Sequence, residues 1–109
     1  KAVELAVLVY EATKSFPTEE KFGITSQMRR SSVSTSSNIA EGSARNSSKA
    51  FCNCLDISLG ESFELETQLI IAFRTGILPE EKFSLLSREI AELQKMVIGF
   101  KNTVEANPY

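Results

Sequence analysis

The sequence predicts an all-α protein, a single four-helix bundle over residues 1–109 with antiparallel, up-down-up-down order. Three observations predict it. No stretch alternates apolar and polar residues with period two, so no strand is expected. Glycine and proline are sparse, five and three residues, and fall where helices should end. Phe51, Leu55, Ser58, Ser62, Leu65, Leu69 and Ala72 repeat with alternating spacings of four and three, the period of one buried helical face.

The elements follow in order. The first helix is expected over about residues 1–15. Val3, Ala6, Val9, Tyr10 and Phe16 form one apolar stripe, and Leu5, Leu8 and Ala12 a second. Pro17 ends it, because the residue before proline is pushed out of the helical region. The pattern is already helical at Lys1, which is not Met, and further residues are expected upstream.

A second helix is expected over about 25–41. Thr25 or Ser26 is placed to cap it, and Met28, Ser32, Thr35 and Ile39 recur at helical spacing. Six of the seven residues from Ser31 to Ser37 carry hydroxyls. Such residues bond back to the helix carbonyls and are indifferent helix formers, so a linker is the alternative here. The period continues through Ile39 and Ala40, which favours helix, with Gly42 as its stop.

The third helix is expected over about 47–76, capped by Ser47 or Ser48. Beside its core face runs a second stripe of Leu59, Phe63, Ile70, Phe73 and Ile77. Gly60 interrupts it at about 1 kcal/mol relative to alanine, and close helix contact is the expected compensation. Leu78-Pro79-Glu80-Glu81 opens a fourth helix over about 79–105, since proline suits the first turn and acids oppose the positive end of the dipole. Phe83, Leu86, Ile90, Leu93, Val97, Phe100 and Val104 give its core face, which fades at Asn107-Pro108. Short connections then favour neighbours crossing at about 20°. The second stripes of the first and third helices predict self-association, because soluble monomers rarely expose such patches. Leu59, Phe63, Ile70 and Phe73 are the candidate interface.

Composition removes several classes of function. The formal charge is −2, so no global basic field gathers nucleic acid or anionic lipid. No run approaches a membrane span of about 18 apolar residues, and nothing reads as a signal peptide. Histidine is absent, which removes Ser-His and Cys-His nucleophile pairs, histidine metal sites and the usual base near neutral pH. Cys52 and Cys54 point about 200° apart on a helix, too divergent for a disulfide or a shared metal, and read as small residues of a reducing cytoplasm. No catalytic residue, metal ligand, cofactor or small-molecule substrate is predicted.

Charge is unevenly distributed. Thr25–Ala50 holds Arg29, Arg30, Arg45 and Lys49 against Glu41. Phe51–Glu81 holds six acids, among them Glu61, Glu64 and Glu66, against Arg74. The four basic residues are therefore candidates for phosphate contacts or for pairing with the acidic helix, with Glu41, Glu61, Glu64 and Glu66 as ion-pair partners. The run from Gly42 to Lys49 lacks the spacing and preceding strand of a phosphate loop, and reads as a turn between helices.

The stretches FPTEEKFGITSQMRRSSVSTSSNIAEGSAR and GESFELETQLIIAFRTGIL resemble the bacterial 23S rRNA-intervening-sequence proteins, and the match runs from about Val3 to Leu93. The resemblance implies an antiparallel four-helix bundle in a ring-like homopentamer, with no established enzymatic activity. The chain is also similar to the accessory variability determinant of diversity-generating retroelements, a basic pentamer that works with a reverse transcriptase and nucleic acid. This chain departs from that relative in being slightly acidic, and from the family in lacking a proline in the serine-rich motif near Ser36. The expected function is a non-enzymatic, cytoplasmic, homo-oligomeric interaction or scaffold module. The alternative is a nucleic-acid-binding accessory protein acting on RNA or with a reverse transcriptase.

Overall fold

The computed structural model describes residues 1–20 and 22–106. Four helices account for most of them: α1, Ala2–Thr13; α2, Ile24–Ser43; α3, Ser48–Arg74; and α4, Glu80–Ala106. A single 3₁₀ turn, Thr18–Glu20, lies between α1 and α2, and no strand occurs among the described residues. The expected end of the fourth helix at Asn107-Pro108 lies outside them.

Each helix packs on its neighbour in sequence, and α1 also meets α4, so the core is enclosed on four sides. Leu5, Val9, Met28, Leu55, Leu65, Leu69, Leu86 and Ile90 are almost fully buried there. The alternating register of α3 is buried throughout, from Phe51 to Ala72. The α2–α3 contact is the most extensive. Its small side chains explain why: Ser31, Ser32, Thr35, Ser58 and Ser62 are buried, and the backbones close in on one another.

The hydroxyl-rich window is helix, not linker. Its polar atoms are absorbed by the helix itself, as Thr35 Oγ1 donates to the Ser31 carbonyl at 2.8 Å and Ser32 Oγ to that of Arg29 at 2.9 Å. Ser58 Oγ then crosses from α3 and donates to the Thr35 carbonyl at 2.7 Å, tying the two helices together.

Caps and stops correct several expectations. Neither Thr25 nor Ser26 caps α2; Gly23 holds that position without a side-chain bond, and Thr25 is buried. Ser47 does cap α3, accepting from the Ala50 amide at 3.1 Å. Gly42 is not a stop. It lies inside α2, where a β-carbon would sit 2.8 Å from Cβ of Cys54 and 2.9 Å from the Phe51 ring. Gly60, the expected site of close contact, faces open space. The close approach sits one helix earlier than the sequence placed it.

α3 ends two residues before Gly76, which adopts a φ of 81°. The Ile77 amide donates to the Ala72 carbonyl at 2.9 Å and the Gly76 amide to that of Phe73 at 3.1 Å, a paired closure that needs a left-handed residue at this point. Pro79 precedes α4 by one residue, and Glu80 and Glu81 occupy its first turn.

The apolar stripes of α1 are also redrawn. Its core face is Leu5, Ala6, Val9, Ala12 and Thr13, whereas Val3 and Tyr10 are exposed. On α3, Leu59 is half-buried against the core, and Phe73 is half-buried and stacked on Phe83 with ring centroids 4.2 Å apart. Of the expected interface stripe, Phe63 and Ile70 are the members left exposed. On α4, Phe100 is exposed but leans on Phe51 with centroids 5.3 Å apart.

Candidate functional site

Arg29 and Arg30 are adjacent on α2 and so diverge by about 100°. Their fates differ accordingly. Arg30 reaches α3, with Nη1 3.3 Å from Glu61 Oε2 and Nη2 2.9 Å from Glu64 Oε1. Arg29 turns the other way, towards α1. Its Nε donates to Thr13 Oγ1 at 2.9 Å, and its guanidinium lies 4.7 Å from the centre of the Tyr10 ring. Among the described residues Arg29 makes no ion pair.

The Glu61–Glu64–Arg30 cluster is electrostatically asymmetric. Burial alone would raise the Glu61 carboxyl, but the neighbouring Glu64 and Ser34 side chains and the charge of Arg30 outweigh it, so Glu61 titrates below the ordinary carboxylate range. Glu64 is raised, because the Glu61 carboxylate beside it disfavours a second negative charge. Glu66 lies on another face, half-buried, and does not join the cluster.

The other two basic candidates belong to the opposite end of α2. Arg45 pairs with Glu41 one turn back. The neighbouring Cys54 side chain and the Glu41 carboxylate both hold its proton more firmly. Lys49 is exposed in the first turn of α3. It borders a polar cleft of about 350 Å³ with Cys52, Asp56 and Lys101, in which Lys101 Nζ meets Asp56 Oδ1 at 2.7 Å. Fourteen residues, or about 21 Å of helix, separate Arg29 from the end of α2, so the four basic residues form two patches within one chain.

Two further clefts were not foreseen from the sequence. An apolar groove of about 350 Å³ lies near the start of α1, lined chiefly by Val3, Ile39, Phe51, Met96 and Phe100. At the start of α2 a polar cleft of about 390 Å³ is lined by Tyr10, Phe22, Thr25, Ser26, Arg29 and Arg30. Its sequence signal is an aromatic residue, Phe22, just before a helix start, with Arg29 and Arg30 inside the helix. Among the described residues no group of three or more Cys, Asp or Glu side chains is arranged to hold a metal ion. No described helix is long and apolar enough to cross a membrane.

Comparison with known proteins gives two matches of use. The family described as 23S rRNA-intervening sequence protein matches residues 1–99. The fold is similar to a crystal structure of a protein of unknown function from the S23 ribosomal protein family of Bacteroides thetaiotaomicron. That chain is 27% identical, with a TM-score of 0.83 over 92% of this chain and 94% of that one. The comparison with curated proteins gives no match.

Proposed function

We propose that this chain, which belongs to the 23S rRNA-intervening sequence protein family, is a non-enzymatic, self-associating scaffold or interaction module of the cytoplasm. Its bundle is antiparallel and up-down-up-down, and copies of it assemble as a ring-like homopentamer. Contacts between neighbouring helices support the antiparallel order, because their numbers run in opposite directions. Arg30 meets Glu61 and Glu64, while Gly42 lies against Phe51 and Cys54. Phe73 stacks on Phe83, while Asp56 pairs with Lys101.

The observation that carries self-association is the pair Phe63 and Ile70. They stand seven residues apart on one face of α3 and remain 47% and 39% exposed after the bundle has closed. They border the seam with α4, where Ile98 is exposed as well. Burying such a row removes apolar area from water at about 25 cal/mol per Å², the principal driving force for association. A catalytic reading finds less support. The sequence has no histidine, and its adjoining carboxylates Glu61 and Glu64 are engaged by Arg30.

Phe63→Glu tests the reading. The charge should dissociate the oligomer and leave the helical circular dichroism largely intact, because position 63 is outside the core. Loss of helicity together with assembly would place Phe63 in the folding of the single chain and contradict the proposal.

A further inference from the structure

The polar cleft at the start of α2 gathers several groups that suit an anion. α2 is twenty residues long, and its cap, Gly23, supplies no side chain. The first amide of the helix with an acceptor inside it is that of Gln27, bonded to the Gly23 carbonyl at 3.0 Å. The amides of Ile24, Thr25 and Ser26 therefore have no acceptor within the helix, and the positive end of its dipole faces this cleft. Thr25 lines the cleft, is only 6% exposed, and its Oγ1 has no hydrogen-bond partner. A buried hydroxyl without a partner is costly and uncommon. Arg29 adds a cation without a carboxylate among the described residues, held in place by Thr13 and the Tyr10 ring. At the rim Phe22 presents an aromatic ring that is 88% exposed.

We propose that this cleft binds a nucleotide phosphate, its oxygens seated between the first-turn amides of α2, the Thr25 hydroxyl and the Arg29 guanidinium, with its base against Phe22. Oriented amides and a guanidinium are the ordinary partners of a phosphate, and an aromatic face accepts any base. The phosphate belongs to a free mononucleotide or to a single strand; both present the same chemistry. Glu20 brings a carboxylate to the same helix end, its Oε1 3.7 Å from where a side chain on Gly23 would begin. A bound phosphate competes with that carboxylate. The site uses residues of one chain and is independent of the assembly proposed above.

The test is an amide chemical-shift titration of the whole chain with AMP, inorganic phosphate and a 5′-phosphorylated RNA hexamer. The expected result is saturable shifts at Ile24–Ser26 and Arg29 with AMP, weaker ones with inorganic phosphate. Tighter binding of the hexamer than of AMP assigns the site to strands, and the reverse assigns it to free nucleotides. Arg29→Gln should weaken AMP by about tenfold or more, the worth of a lost charge-assisted hydrogen bond. Thr25→Val should also weaken AMP without lowering thermal stability, a combination that a purely structural Thr25 would not give. Glu20→Gln should tighten it. No shift at Ile24–Ser26 up to ~10 mM AMP would overturn the proposal. So would unchanged affinity in Thr25→Val, or shifts confined to Arg45 and Lys49.

Discussion

Gly42 on α2 and Cys54 on α3 sit so close that a methyl group on the glycine would lie 2.8 Å from the cysteine β-carbon. The Phe51 ring, 2.9 Å from the same point, blocks the other way out. The serine-rich face of α2 and this glycine act together, letting two long helices approach over their small side chains.

Gly42→Ala should therefore destabilise the bundle. Overpacking costs about 1–3 kcal/mol, and the gain in helix propensity returns only about 1 kcal/mol, so the net effect is a loss. Gly60→Ala, in open space on α3, should instead stabilise by up to about 1 kcal/mol. Urea denaturation of the two variants measures both signs. A stabilised Gly42→Ala would mean that the helices part easily at this contact.

Gly76→Ala should destabilise by about 1 kcal/mol, because alanine at a φ of 81° is strained whatever the space around it. The loss should appear as a lower melting temperature with unchanged helical content. An unchanged melting temperature would show that the turn after α3 accepts another conformation.

The fold was legible where burial follows from position along one helix. The register from Phe51 to Ala72 is buried as its spacing predicts, and Ser47 caps as its hydroxyl predicts. What could not be read depends on where the next helix lies. Leu59, Phe63, Ile70 and Phe73 look alike in sequence, yet Phe83 covers Phe73 and nothing comparable among the described residues covers Phe63. Gly42 rather than Gly60 makes the close contact for the same reason. The site was half legible. Adjacent arginines must diverge, but only the placement of α1 and α3 decides that Arg30 meets two carboxylates and Arg29 a hydroxyl and a ring.

The Glu61–Glu64 pair predicts a divided acid titration. Glu61, lowered, contributes stability above its unfolded value of about 4.3 that is lost as pH falls through its lower folded value. Glu64, raised, acts in the opposite sense, and its contribution fades as pH rises through its higher folded value. Carboxyl carbon shifts should resolve one titration on each side of about 4.3, and Glu64→Gln should abolish the upper one. Two overlapping titrations near 4.3 would contradict this division.

Nucleic-acid binding by the intact protein should be weak and indifferent to sequence. The net charge of −2 gives no broad attraction, and Arg45 and Lys49 are separated from Arg29 along α2. Fluorescence anisotropy with labelled RNA and DNA should fall steeply between about 50 and 200 mM salt, since counterion release supplies the affinity. Tight, salt-insensitive and sequence-selective binding would contradict this distribution of charge.

Sedimentation equilibrium at micromolar concentration tests self-association most directly. The chain mass is 12.0 kDa, so a pentamer gives a species near 60 kDa, five times that value. A single 12.0 kDa monomer across the same range would contradict the account, because Phe63 and Ile70 would then remain in water.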